Sequence, residues 1–523
     1  MERHDRTQTI GRTLSPRILG RLFKALGVLG LTFGLLPAPA PAAWAGDANV
    51  QTTEGMVEGV TQNGITSFLG LPYAAPPVGD LRWRAPQPPS PHATRLIADH
   101  FGHDCMQNAM GRPGAQPVSE DCLYLNVWVR ASPKARNLPV MVFVHGGGFS
   151  IGSGAESTYD GSSLAQRGVV LVTFNYRLGK FGFFAHPALT KENPDGPLGN
   201  YQVLDQIAAL KWVRRNIASF GGNPDNITLF GESSGGVSVT FLMSSPLAKG
   251  LFAKAIIESG VRRFSMKPID KAEMDGKAAA EKWGVRGDDV SALRRVPAKT
   301  ILGKATLGSG GGGPMIDGKI IRETPMDAFE SGNVVRVPLL IGTNSYEAGS
   351  FEGFTKGLAK RLAPQWPEVL TLYDGYGTHQ THLIEGELMT DILTAEPTRE
   401  VARAAAAHGM PTYVYLYNYI RPSERGKVPG PVHTDELYAV FGTMKTVEPV
   451  ETSDMRKITD EVQSRWVRFA KTGHPGERTS DWPALTKNRA PVLEFDQDRT
   501  VLREDLDKKR FEFVVTLPAV TPN

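Results

Sequence analysis

Apolar residues recur along this chain in two rhythms. Short apolar runs, rich in β-branched and aromatic residues, stand at Val140 to Val144, Val169 to Phe174, Ile227 to Phe230, Ala255 to Ile257, Val337 to Ile341 and Tyr413 to Tyr419. Runs of this length and composition predict buried strands. Between them lie segments with helical spacing, clearest from Tyr201 to Ile217, where Val203, Leu204, Ile207, Leu210 and Val213 share one face. Alternation of strands and helices predicts an α/β fold with a mainly parallel central sheet flanked by helices. The stretch from about 262 to 400 is richer in charge and alanine, and reads as a helical cap over the sheet. No internal repeat or low-complexity linker breaks the chain, so residues 46–523 are expected to form one large domain.

Several turns after the strands carry chemistry. The run Ile227 to Phe230 stops at Gly231-Glu232-Ser233-Ser234-Gly235. In a G-x-S-x-G placed at a strand end, the glycines remove side chains that would clash in a sharp turn, and the serine hydroxyl is lifted above the sheet. Val140 to Val144 runs directly into His145-Gly146-Gly147-Gly148-Phe149. A loop with so few Cβ atoms can turn its N–H groups toward one point, as the oxyanion of a tetrahedral intermediate requires. The expected donors are the backbone N–H groups of Gly147, Gly148 and Ser234.

Serine is a weak nucleophile at neutral pH, so Ser233 needs a histidine to take its proton and a carboxylate to orient that histidine. Of the five histidines after Ser233, only His433 follows a strand, through a loop rich in Pro and Gly, and leads into an apolar segment, Leu437 to Phe441. His408 sits in an alanine-rich helical stretch and His474 in a Gly-His-Pro turn. Val337 to Ile341 leads into Gly342-Thr343-Asn344-Ser345-Tyr346-Glu347, which makes Glu347 the expected acid. Asp317, in an Asp-Gly turn, is its main competitor.

These motifs, together with Ser119-Glu120-Asp121-Cys122-Leu123-Tyr124-Leu125-Asn126-Val127, Asn175-Tyr176-Arg177-Leu178-Gly179 and Trp466-Val467-Arg468-Phe469-Ala470-Lys471-Thr472-Gly473, closely resemble the type-B carboxylesterase family. The resemblance extends over nearly all of the chain after residue 45. It implies the α/β-hydrolase fold and a serine carboxylesterase acting through an acyl-enzyme, with Ser233, Glu347 and His433 as triad and no metal or cofactor. It implies supporting roles for Glu232, as a buried negative charge near the histidine, and for Ser259, as a hydrogen-bond donor to the acid. It also implies a disulfide between Cys105 and Cys122, worth about 3 kcal/mol in the chain-entropy picture. One departure stands out: the family commonly has Asp-Glu-Gly around its acid, where this chain has Tyr346-Glu347-Ala348-Gly349. The cholinesterases of the family have a longer loop in place of residues 106–121, with a tryptophan that binds choline; here that loop holds no aromatic residue, and poor selection for choline esters is expected. Phe149, Phe351 and Phe354 are the candidate pocket walls.

The first 24 residues carry Arg3, Arg6, Arg12, Arg17, Arg21 and Lys24, an apolar stretch follows from Ala25 to Leu36, and Ala43-Trp44-Ala45 offers a cleavage site. This is the pattern of a secretory signal peptide over residues 1–45, and it implies an exported protein, periplasmic or secreted, without a stable membrane anchor. Against Glu2 and Asp5, these six basic side chains account for the whole formal charge of +4. The remainder is formally neutral, which argues against nucleic acid as a partner. Gly310 to Gly313 precedes Pro314 and lacks a P-loop lysine, so it reads as a loop at the pocket rim. The sequence leaves the ester open: aryl and alkyl esters, xenobiotic esters, toxin side-chain esters and polyesters all fit, and a peptidase or an acyltransferase would use the same triad.

Overall fold

The computed structural model describes residues 48–108, 112–132, 136–196, 198–263, 265–305, 312–350, 355–375, 377 and 380–518. The leader, Phe351 and Phe354 therefore lie outside the described residues.

Eleven strands form the central sheet: β1 (Val60–Gln62), β2 (Ile65–Pro72), β3 (Tyr124–Arg130), β4 (Leu138–Val144), β5 (Val170–Phe174), β6 (Gly222–Glu232), β7 (Lys254–Glu258), β8 (Leu339–Asn344), β9 (Thr412–Tyr417), β10 (Pro491–Phe495) and β11 (Thr500–Glu504). Their spatial order is β1-β2-β3-β5-β4-β6-β7-β8-β9-β10-β11. Pairing is parallel from β5 through β10 and antiparallel at both ends. The helices that matter for the site are α1 (Gly179–Gly182), α2 (Tyr201–Asn216), α3 (Ser234–Ser244), α4 (Ile269–Lys282), α5 (Glu396–Ala407), α6 (Asp435–Phe441) and α7 (Ser453–Thr472).

Every strand-like run of the sequence is a strand, with shifted ends. Val337 and Pro338 stay outside β8: Pro338 has no N–H to donate, and its carbonyl accepts from Ala255 before the regular ladder begins. The strand after His408 ends at Tyr417, two residues before Tyr419.

Side chains of the middle strands alternate between two apolar layers, as the two-residue period requires. Val140, Val142 and Val144 of β4 join the layer beneath α2 and α3, with Val203, Ile207, Val239 and Phe241. Met141 and Phe143 point the other way, toward Leu437 and Phe441 of α6 and Trp466 and Phe469 of α7. Because both faces are covered, the runs are apolar throughout. Helix α2 is buried nearly all round, and Gln202, Asp205 and Gln206 are buried with its apolar residues. Asp205 is held there by Arg177, whose Nε and Nη2 donate to its two carboxylate oxygens at 2.8 and 2.7 Å.

The segment from 262 to 400 is mostly short helices, but it also contains the core strand β8. No helix among the described residues is long and apolar enough to cross a membrane.

Candidate active site

The parallel strands deliver four loops to one edge of the sheet. After β6 the chain turns sharply into α3. Ser233 sits at that turn with φ 56° and ψ −127°, a left-handed conformation that side chains rarely adopt. Its N–H is tied to the carbonyl of Glu258 at 3.0 Å. The turn admits no side chain at its far end: a Cβ on Gly235 would lie 2.0 Å from the carbonyl oxygen of Val144.

The loop after β9 brings His433 over the serine. Its Nε2 is 2.8 Å from Ser233 Oγ, and its Nδ1 is 2.5 Å from Glu347 Oε2. Glu347 follows β8 directly, and all three side chains are buried. The other oxygen of Glu347 accepts from the N–H of Asn344 at 2.8 Å and from the hydroxyl of Ser259. Burial pushes the Glu347 carboxyl up, but the His433 charge and the bonds from His433, Ser259 and Asn344 outweigh it and hold it below the usual carboxylate range.

The loop after β4 lies beside the serine. Gly147, Gly148 and Phe149 have φ of 110°, 60° and 60°. Phe149 N–H donates to Ser234 Oγ at 3.2 Å, and the Gly147 carbonyl accepts from Ser150 and Ile151. No acceptor among the described residues takes the N–H groups of Gly147, Gly148 or Ser234. The loop is pinned from behind by His145, whose ring stacks on Tyr176 with centroids 4.2 Å apart while the Tyr176 hydroxyl donates to the His145 carbonyl. Burial pushes His145 down to about 3, so it is neutral and structural at physiological pH.

Three further buried glutamates, Glu232, Glu258 and Glu436, surround this relay, and of these Glu232 is the one with an expected role. Glu232 Oε1 is 3.2 Å from His433 Nε2. Burial, and after it the charges of Glu436, Glu347 and Glu258, push the Glu232 carboxyl well up. The direction runs against the negative charge expected there. Glu436 Oε2 accepts from Asn344 Nδ2 at 2.5 Å, and burial with the charges of Glu347 and Glu258 raises it too. Glu258 accepts from Trp466 Nε1 at 2.7 Å and is pushed up to about 8 by burial. The sequence signal for Glu232 and Glu258 is an apolar strand ending in a carboxylate, Leu-Phe-Gly-Glu at β6 and Ala-Ile-Ile-Glu at β7.

Glu258 makes stability depend on pH. Its folded-state value lies above the ordinary 4.5, so the folded chain retains a proton that the unfolded chain releases. That contribution is fully present below about 4.5 and is lost as pH rises through about 8. Glu258→Gln, which still accepts from Trp466, is expected to gain in melting temperature on the wild type between pH 5 and pH 8.5. A difference constant across that range, in thermal melts, would refute this.

Asp317 is not part of the relay. Its carboxylate caps its own turn, accepting from the N–H groups of Lys319, Ile320 and Ile321 and from the Asn200 amide. Phe149 is partly buried and packs edge-on to Phe183, with centroids 5.5 Å apart. Cys105 and Cys122 are joined as a disulfide.

Comparison with known proteins places this geometry. The model of the Carboxylesterase family matches residues 46–364 and 375–514. Para-nitrobenzyl esterase of Bacillus subtilis (strain 168) is 36% identical over 490 residues, covering 88% of this chain and 97% of that protein. Fumonisin B1 esterase of Sphingopyxis macrogoltabida is 36% identical over 476 residues, covering 85% of each. A solved thermophilic PNB esterase superposes with a TM-score of 0.77 at 35% identity, over 90% of this chain and all of that one. The architecture is the α/β-hydrolase fold. The chain belongs to the carboxylesterase family. It is a carboxylic ester hydrolase of the serine hydrolase type.

Proposed function

We propose that this esterase works through an acyl-enzyme on Ser233, with His433 as base and Glu347 as its orienting acid. The observation that carries the reading is the continuous relay Ser233 Oγ, His433 Nε2, His433 Nδ1, Glu347 Oε2, built on a strained serine. An ionised Glu347 holds the Nδ1–H tautomer, which leaves Nε2 free to accept the serine proton. As Oγ attacks the ester carbonyl, that proton passes to Nε2. The carbonyl oxygen becomes negative within reach of the N–H groups of Gly147, Gly148 and Ser234, fixed dipoles that need no rearrangement. The C–O bond then breaks, and the alcohol leaves with the proton from Nε2. Water gives a proton to the same nitrogen and attacks the acyl group, and the acid leaves as Ser233 Oγ takes the proton back.

The upward push on the Glu232 and Glu436 carboxyls suits this cycle. It disfavours charge on these two while Glu347 is held below the usual carboxylate range, so the imidazolium is stabilised on the Nδ1 side and the proton on Nε2 remains available to the leaving alcohol. Hydrolysis of p-nitrophenyl acetate, butyrate and octanoate by the protein from Gly46 onward tests the reading. Turnover is expected, with a chain-length profile that sizes the acyl pocket, and a folded sample inert toward all three would overturn it.

The loop of residues 106–121, which holds no aromatic residue, carries the expectation on choline. Butyrylcholine is expected to be hydrolysed no faster than its neutral isostere 3,3-dimethylbutyl butyrate, and a clear preference for the choline ester in kcat/KM would refute this. The natural ester is proposed to come from the xenobiotic or toxin class, supported by the fumonisin B1 esterase among the relatives. Export to the periplasm or medium is proposed from the basic, apolar and Ala-x-Ala leader, with support from the disulfide.

A further inference from the structure

A cavity of about 240 Å³ lies between α5 and the strands β8, β9 and β10. Ala402 of α5, Val414 and Leu416 of β9 and Val492 of β10 give it apolar walls. An apolar cavity of about 150 Å³ already takes up benzene, so this one has room for a somewhat larger molecule. A further wall is the segment from Thr343 to Tyr346, which leads from β8 to Glu347. That segment is tied to the relay at three points. Asn344 N–H donates to Glu347 Oε1 at 2.8 Å, Asn344 Nδ2 donates to the carbonyl of Val432, next to His433, at 2.9 Å, and Tyr346 N–H donates to the carbonyl of Pro431 at 3.1 Å. A molecule in the cavity therefore rests against the backbone that sets the acid and steadies the loop of the base.

The charges of this cavity are segregated. Arg399 and Arg403, one turn apart on α5, share a single carboxylate: Asp505 accepts from Arg399 Nη2 at 3.0 Å and from Arg403 Nη2 at 3.0 and 3.2 Å. Lys508 is 4.0 Å from the same carboxylate. Nη1 of both arginines and Nε of Arg403 have no acceptor among the described residues. Around Arg510 the balance is reversed. Its Nε donates to Asp391 at 2.8 Å, while Glu387 and Asp507 stand 3.5 and 3.8 Å from its Nη1. The carboxylates of Glu387 and Asp507 accept no hydrogen bond from a described residue, and at 30% and 33% exposed they are open to a ligand. Two guanidinium groups over one carboxylate favour an added anion, and three carboxylates around one guanidinium favour an added cation. Burial also pushes the Glu387 carboxyl up, an effect that an ammonium group beside it would offset.

We propose that this cavity binds a small zwitterion with an apolar side chain, an α-amino acid of the leucine or phenylalanine kind, and that its occupancy is felt at Glu347. The carboxylate takes N–H groups of Arg399 and Arg403, the ammonium group lies among Glu387, Asp391 and Asp507, and the side chain lies along Ala402, Val414 and Val492. One such molecule answers both ends of the cavity, which a simple anion or a simple cation does not. Because the site is apart from the ester and reaches the relay through Asn344, it acts on kcat and leaves KM unchanged. Binding stands by itself, and the effect on turnover rests on the Ser233 esterase reading.

Isothermal titration of the protein from Gly46 onward with L-leucine and L-phenylalanine tests the site. The controls are 4-methylpentanoate, which lacks the ammonium group of leucine, and 3-methylbutylamine, which lacks its carboxylate. Saturable binding of at least one amino acid is expected, about tenfold tighter than either control. Arg403→Met, which leaves Arg399 to hold Asp505, and Ala402→Leu, which fills the cavity, should each raise the Kd about tenfold, with circular dichroism and a thermal melt to report that both are folded. With the amino acid at saturation, kcat of the wild type on p-nitrophenyl acetate is expected to shift about fivefold at unchanged KM. No saturable binding of either amino acid, or a control that binds equally well, would overturn the site, and so would a Kd unchanged in both variants. Binding that leaves kcat unchanged would overturn the link to Glu347. Binding by a protein that hydrolyses no p-nitrophenyl ester would overturn the esterase reading and leave the site intact.

Discussion

Ser233→Ala is expected to lower kcat on p-nitrophenyl butyrate by about 10⁶-fold, close to the floor of the assay. The alanine has no oxygen to form the acyl-enzyme, and what survives is water attack assisted by the oxyanion donors, worth about 10³- to 10⁴-fold over the uncatalysed rate. The fold should be untouched. The bonds that hold the turn, Ser233 N–H to the Glu258 carbonyl and Val237 N–H to the Ser233 carbonyl, belong to the backbone and survive the substitution. Melting temperature is therefore expected to stay within a degree or two of the wild type, and the burst of p-nitrophenol that reports acyl-enzyme formation should vanish. A variant that retained more than about a hundredth of the activity would show that another group is the nucleophile.

Glu347→Gln is expected to cost about 10⁴-fold in kcat, through the tautomer rather than through geometry. The glutamine can place its oxygen where Asn344 N–H and Ser259 Oγ–H now donate, and then presents its NH₂ to His433 Nδ1. An Nδ1 that accepts forces the proton onto Nε2, the atom 2.8 Å from Ser233 Oγ, which can then no longer take the serine proton. Asp317→Asn is the matched control and should keep nearly full activity, because Asp317 serves its own turn. A nearly active Glu347→Gln beside an inactive Asp317→Asn would reverse the assignment of the acid.

These two residues also show how far the sequence reached. Ser233 was legible because its turn needs glycine at fixed offsets, a local requirement written in adjacent letters. The structure gives that requirement a size in the 2.0 Å approach of a Gly235 Cβ to Val144 O. The strands were legible because a sheet covered on both faces forces unbroken apolar runs, and their ends were misread where Pro338 delays β8 and where β9 stops at Tyr417. Glu347 stood on less, a strand and a turn before it, and the bonds from Asn344 and Ser259 that lower its pKa come from packing alone. The upward push on the Glu232 carboxyl was not legible at all. It comes first from burial and then from Glu436, Glu347 and Glu258, which the helix after His433, the turn after β8 and the end of β7 bring beside it.

The sequence by itself determined the rhythm of strands and helices, the strained serine turn, the triglycine loop and, through the resemblance its motifs carry, the family. All of these are set by contacts between near neighbours or by a one-dimensional pattern of apolar residues. Only the tertiary structure decided which carboxylates share the space around His433, and that burial pushes Glu232 and Glu436 up there while the bonds to Glu347 hold it down. Charge states and cavities depend on burial and on distances between residues far apart in the chain, and those exist only once the sheet has brought its loops to one edge.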